Sequence, residues 1–259
     1  VNISASRAIC LFPFAYFATS RAWTSREMTY LVATSWLPAI WLLWRLTDLS
    51  VAGSALAFAA GYLAYISIYE IGYLVNDAWD APRSPQGRQR LNFPITPSFA
   101  LAFVAIRLAV WAVVGVLTGW IDNPLWLAGY AALCLAIAQH NIFQSNGLRL
   151  ASFYELATLR FLLPVLAALP AASLPAAILT ALLLYSFPRF LGYLDSKDIL
   201  NLPERREPQF GFFLILSLAP LLLFSAYLLR TTALVELTAY YLVIYGIWWA
   251  MARLPQAPR

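Results

Sequence analysis

Apolar residues fill this chain in long runs, and polar residues collect in short clusters between them. A helix that crosses a bilayer needs about 20 mostly apolar residues. Eight runs have that length: 28–46, 51–75, 98–119, 124–142, 151–171, 174–194, 208–228 and 232–253. Short links between them predict antiparallel neighbours, and an even number of crossings brings both termini to one side. The leader 1–27 is amphipathic. Its apolar stretch 8–19 is too short to cross and is expected at the membrane interface; were it to enter, it would be a ninth, partial span. No small-residue cleavage site follows that stretch, where Arg21 and Arg26 stand instead. The pattern predicts an all-α fold: a polytopic membrane helical bundle of eight transmembrane helices, or nine with the partial span. It forms one domain over 1–259, in two four-helix halves, 28–142 and 151–253.

Composition agrees with the pattern. Residues of the set AVILMFWYC make up 62% of the chain and charged residues 11%, where a soluble domain carries roughly a quarter charged. That excludes a disordered chain and leaves too little polar surface for a water-soluble globule. Cys10 and Cys134 lie in apolar runs, with the spacing of neither a disulfide framework nor a zinc site. The 17 basic residues, Lys197 and otherwise all arginines, set the orientation. Twelve fall on the side of the termini and of the loops after the second, fourth and sixth spans. Arg45 and Arg230 fall on the other side, and Arg107, Arg160 and Arg189 lie inside spans. Positive residues stay cytosolic, so the basic side is expected to face the cytosol, with a bacterial-type inner (cytoplasmic) membrane as the location. A basic soluble domain is missing, so nucleic acid is a poor partner.

The candidate chemistry gathers on that side. At the end of the second span stand Glu70, Tyr73, Asn76, Asp77 and Asp80. In an α-helix the offsets of the last four from Tyr73 put them on one face, with Glu70 one turn earlier. Asn76, Asp77 and Asp80 suit a hard cation such as Mg2+, which takes one or two carboxylates plus water and substrate phosphate. Glu70, about two turns inside the membrane, is expected to be functional, because an acid at that depth is costly. At the end of the sixth span, Arg189, Tyr193 and Lys197 form a stripe at i, i+4 and i+8. Asp195 and Asp198 stand beside it as further metal ligands. A third cluster, Gln139, His140 and Asn141 with Arg149 beyond, ends the fourth span. His140 is the only histidine and a candidate acid–base or substrate contact. Arg83, Arg88, Arg90, Arg149 and Arg189 are candidate phosphate contacts, since guanidinium forks bind phosphate bidentately. A positive-inside loop beside lipid headgroups accounts for the charge of Arg83, Arg88 and Arg90 equally well. The remaining intramembrane charges, Arg107, Glu155, Arg160 and Glu236, are expected to form structural ion pairs between helices.

An acidic cluster at the end of the second helix of each half suggests an internal repeat. Here the chain resembles the UbiA-type intramembrane prenyltransferase superfamily. That family has eight or nine helices, a motif NDxxDxxxD after helix two and an Asp-rich motif after helix six, often within YxxxKD. Asn76, Asp77 and Asp80 match the first three positions of the first motif; Tyr193, Lys197 and Asp198 match the second. Ser84 stands where the third Asp of the first motif falls, and Asn201 where a further Asp is common in the second. The resemblance implies a Mg2+-dependent transferase acting on a polyprenyl phosphate or diphosphate in the lipid bilayer. Asp77, Asp80, His140, Tyr193, Lys197 and Asp198 are the catalytic candidates. Prenyl transfer from a prenyl diphosphate is the leading expectation. Transfer of phosphoribose to a polyprenyl phosphate, and a catalytically lapsed subunit of a membrane complex, are the alternatives. A transporter is disfavoured, because the acids crowd one surface instead of lining a path through the bilayer.

Overall fold

The computed structural model describes residues 7–20, 24–80, 91, 93–143 and 145–253; the side chains of Arg26, Asp80, Asn146 and Arg206 are outside the description. The described residues are helical with no strand. Two short helices come first, α1 (Arg7–Cys10) and α2 (Ala15–Ser20). A continuous helix follows, made of α3 (Ser25–Leu31), a π-helical segment Val32–Trp36 and α4 (Leu37–Leu46). Next are α5 (Val51–Val75), extended by a π-helical turn Asn76–Asp80, then α6 (Pro97–Thr118), α7 (Pro124–Ile142) and α8 (Asn146–Leu166). The chain continues with α9 (Leu174–Leu179), a π-helical segment Thr180–Ser186 and α10 (Phe187–Ser196). It closes with α11 (Pro208–Leu228) and α12 (Ala233–Arg253).

Six of these helical stretches are long and apolar enough to cross a membrane: Val51–Trp79, Pro97–Thr118, Pro124–Ile142, Ala171–Ser196, Pro208–Leu228 and Ala233–Arg253. The first and fifth expected spans are helical but are not among the six. The first holds Arg45 with Glu27 just before it, and the fifth holds Glu155 and Arg160 with Arg149 just before it. Local chemistry sets the helix starts. Ser50, Thr96, Asn123 and Ser145 each accept an amide N–H of the first turn, and proline follows at the start of α6 and α7. The Ser145 cap starts α8 five residues before the apolar run at 151 begins.

Helix α5 is central and packs against α4, α6, α7 and α8. At its crossing with α8, a Cβ on Gly61 would lie 2.0 Å from the carbonyl oxygen of Pro164, so only glycine permits this approach. Packing does not divide at residue 142. Ala39, Leu42 and Leu43 of the first expected half share a core with Phe161, Leu184, Leu222 and Tyr241 of the second. A π-helical segment leaves carbonyls outside the regular ladder, and neighbouring phenols take some of them. Tyr240 and Tyr241 donate to Ala33 and Thr34 at 2.8 and 2.5 Å, and Tyr154 donates to Leu182 at 3.1 Å.

The leader departs most from expectation. Residues 7–20 form a helical hairpin packed against α5 and α6, with Cys10, Tyr16 and Phe17 buried. Its turn reaches Arg107, ten residues into α6 and thus ~15 Å along the helix. Arg107 Nε donates to Glu70 Oε2 at 2.8 Å. Its terminal nitrogens donate to the carbonyls of Cys10, Leu11 and Phe12. Glu70 accepts the amide N–H groups of Phe14 (3.2 Å) and Phe17 (2.7 Å). A chain reversal at that depth leaves backbone groups that lipid cannot satisfy, and this fully buried ion pair satisfies them. Glu70 is therefore structural, which corrects its expected place in the chemistry, and Arg107 has the structural role expected of it. Both ends of the hairpin return to one end of the bundle, where Arg7 donates to the Pro94 carbonyl and Tyr16 reaches Asp77. Of the two cysteines Cys10 is buried, and Cys134 lies on the outward face of α7.

Candidate functional site

The ends of α5, α7 and α10 that carry the predicted clusters open into one cavity of about 1340 Å3. Side chains of α3, α5, α7, α8, α10, α11 and α12 line it. The wall has two characters. Asn76, His140, Asn141, Arg160, Arg189, Tyr193 and Arg205 provide hydrogen bonds and positive charge. Phe17, Leu31, Tyr69, Ile137, Phe153, Leu156, Phe210, Leu214, Tyr245 and Trp248 provide apolar and aromatic surface. Glu27 and Glu207 are the carboxylates in the lining. A concave, mostly apolar pocket with a few converging polar groups is the usual form of a small-molecule site.

The first motif is divided by its own backbone. A π-helical turn spans Asn76–Asp80, so these residues do not keep the α-helical face expected of them. Asn76 lines the cavity. Asp77 accepts from Tyr16 Oη at 2.9 Å and from Asn76 Nδ2 at 3.1 Å, which ties the motif to the leader hairpin. Of the second motif, Arg189 and Tyr193 line the cavity. Tyr193 stacks on Phe153, with ring centroids 4.0 Å apart and planes 8° apart. Lys197 follows the last turn of α10 with its Nζ 5.7 Å from the Tyr193 ring centroid. Asp198 adopts a left-handed conformation (φ 53°) just beyond α10. Asp195 is buried and takes two hydrogen bonds from Arg205, at 2.6 and 3.2 Å. Its carboxylate is directed at a cation of this chain.

His140 and Tyr193 are neighbours across the cavity, with ring centroids 6.5 Å apart. His140 Nδ1 is 3.0 Å from Ser152 Oγ, and that hydroxyl donates its single proton to the Arg149 carbonyl at 3.1 Å. Arg149 Nε donates to the Phe143 carbonyl, the residue that ends α7, at 2.6 Å, and Arg149 is not part of the cavity wall. Arg83, Arg88, Arg90 and Ser84 lie outside the described residues. Among the described residues, no three of His, Cys, Asp and Glu gather as a metal site.

Two features at the cavity differ from what the sequence suggests. One is a column of aromatic rings along α5: Tyr62, Tyr65, Tyr69 and Tyr73, with successive centroids 5.8, 5.1 and 4.9 Å apart. The other is Arg160: expected in a structural ion pair, it has no carboxylate partner among the described residues, and its Nε donates to Tyr65 Oη (3.2 Å) and Nη2 to Tyr73 Oη (2.9 Å). Its guanidinium lies 4.8 Å from the Tyr69 ring centroid and 5.8 Å from that of Phe17. Tyrosines at i, i+3, i+7 and i+11 of an apolar run were the readable signal, since that spacing forms one helix face. Glu236, in contrast, behaves as expected. It forms a bidentate pair with Arg45 at 2.8 Å, supported by Trp41 and Thr232, at the end of the bundle away from the cavity. Compared with protein-family models, curated proteins and solved structures, the chain shows no significant match.

Proposed function

We propose that this protein is an intramembrane transferase that acts on a polyprenyl phosphate or diphosphate, transferring a prenyl group from a prenyl diphosphate to an acceptor. One observation carries the reading. Asn76, His140 and Tyr193, from clusters more than 50 residues apart in the chain, line one amphipathic cavity together with Arg189. The aromatic wall suits an isoprenoid chain. The basic rim suits a phosphate head, held by the guanidinium of Arg189, whose Nε is buried without a hydrogen-bond partner among the described residues. Positive charge at that rim favours departure of a diphosphate, because negative charge grows on the leaving oxygens. Tyrosine faces stabilise the allylic cation left behind through their ring quadrupole. His140, on the cavity wall, is the candidate base for the proton released by an attacking acceptor.

On this reading the expected cation belongs to the first motif, of which the Asp80 side chain lies outside the described residues. Asn76, Asp77 and Asp80 are the residues that would hold Mg2+, which neutralises diphosphate charge when bound. Asp195, engaged by Arg205, does not suit a second ion. The UbiA-type resemblance, an arrangement of eight membrane crossings and a cytosolic active face belong to the same reading.

Transfer of phosphoribose to a polyprenyl phosphate is the second reading. It is favoured by the polar pair His140 and Asn141 on the wall, the latter with a buried Oδ1 that lacks a partner among the described residues, as ribose hydroxyls would require. The test is incubation of the purified protein and Mg2+ with labelled prenyl diphosphates. A parallel arm uses labelled phosphoribosyl diphosphate with polyprenyl phosphate. Label in a prenylated product is the expected result; label in the polyprenyl lipid of the second arm selects the second reading. No labelled lipid in either arm contradicts transfer and selects a lapsed subunit.

A further inference from the structure

Arg160 has no carboxylate partner among the described residues, although it stands deep in an apolar bundle. Its partners are two phenols and the faces of aromatic rings. The guanidinium lies against Tyr69, seven residues below Asn76 on α5, and so ~10 Å beneath the rim of the cavity. A guanidinium has five N–H donors in a fixed fork. One from Nε and one from Nη2 are engaged. Among the described residues Nη1 has no acceptor, and Arg160 forms part of the cavity wall. The unused side of the fork therefore faces the cavity. Phenols and rings orient a cation, but none of them neutralises it.

We propose that Arg160 is the centre of a deep anion subsite, taking a carboxylate or phosphate group carried by an amphipathic molecule. The cage made by Tyr65, Tyr69, Tyr73 and Phe17 pre-organises the fork. A net-charged group held rigidly in a site partly shielded from water meets an anion without further ordering, and a paired fork gives a shorter, stronger bond than a neutral donor. One wall of this subsite is supplied by the leader hairpin: Phe17 stacks on Tyr73, with ring centroids 5.6 Å apart and planes 4° apart. That wall is held in place by the bonds from Glu70 to the Phe14 and Phe17 amides. The subsite lies well below the rim residues Asn76, His140 and Tyr193. It addresses a second anionic group, separate from a phosphate bound at the rim. It requires that the cavity hold a ligand, and it is independent of whether any group is transferred.

The experiment is a binding series on the full-length protein in nonionic detergent, with dodecyl phosphate, dodecanoate and uncharged dodecanol as probes and thermal unfolding as readout. Wild type is expected to be stabilised by an anionic probe and not by dodecanol. A larger effect of dodecyl phosphate or of dodecanoate identifies which head group the fork prefers. Arg160→Gln removes the charge and keeps an amide near the position from which Nε donates to Tyr65. It is expected to weaken anion binding by roughly ten- to a hundredfold, the worth of a charge-assisted hydrogen bond. Arg160→Lys is expected to restore part of it, and Arg253→Gln, at the end of α12, to leave it unchanged. Equal stabilisation of wild type by dodecanol, or undiminished anion binding in Arg160→Gln, overturns the subsite. Because no turnover is measured, a protein that binds anions through Arg160 but transfers nothing retains the subsite and loses the transferase reading.

Discussion

Arg107 and Arg160 are both arginines within apolar helices, and the sequence presents them as the same problem. The structure treats them in opposite ways. Arg107 is fully buried, paired with Glu70 at 2.7 Å, and directs its remaining donors to the carbonyls of the leader turn. Arg160 is held by phenols and turns its unused donors to a cavity. A buried cation with a carboxylate and a full set of acceptors is part of the architecture. A buried cation with neutral partners and an open side is prepared for an anion from elsewhere. The neighbourhood, and not depth in the bundle, separates structure from function here.

The comparison makes its largest demand on Glu70. Glu70→Gln leaves the Arg107 charge buried and unpaired, at an expected loss of about 3–5 kcal/mol. It should appear as a collapse of folded yield and of the unfolding midpoint in detergent. A variant as stable as wild type would make the two arginines equivalent after all. Gly61→Ala comes next. The added Cβ meets the Pro164 carbonyl one turn from both Tyr65 and Arg160, so α5 and α8 must separate at the cage. Overpacking of this kind costs about 1–3 kcal/mol, and thermal unfolding should report it together with weakened anion binding. Tyr16→Phe removes one hydrogen bond to Asp77, worth about 1 kcal/mol. The fold should persist while transferase activity falls, because the first motif loses its tie to the leader; unchanged turnover would detach the leader from the site. Arg160→Gln is expected to have the smallest effect on stability, within about 1 kcal/mol, despite its large effect on ligand.

The fold was legible where the information is local. Apolar run length located the helices, and Ser50, Thr96 and Asn123 ahead of those runs fixed their starts. The start of α8 was misjudged because Asn146, Arg149 and Ser152 are polar, although Ser145 caps them into the helix. The leader was misplaced for a different reason. A stretch too short to cross reads as interfacial unless its turn has partners at depth, and those partners are 53 to 97 residues away. Much of the site was legible: Asn76, His140, Arg189 and Tyr193 were named from the sequence and share the cavity. Asp77 and Asp195 were both expected as metal ligands. In the fold, a π-helical turn directs one towards Tyr16, and Arg205 engages the other. Neither outcome is visible in spacing. Nor is the neutral cage of Arg160, which requires α5 to cross α8 in one register.

The central claim is that the cluster of the second helix end and that of the sixth form one ligand site. Photoaffinity labelling with a benzophenone-bearing prenyl diphosphate tests it most directly, with the modified peptides mapped by mass spectrometry. The account predicts modification in the α5 peptide carrying Asn76 and in the α10 peptide carrying Tyr193, both suppressed by unlabelled prenyl diphosphate. Modification spread over outward-facing positions of α6 and α11, and insensitive to competitor, would contradict it.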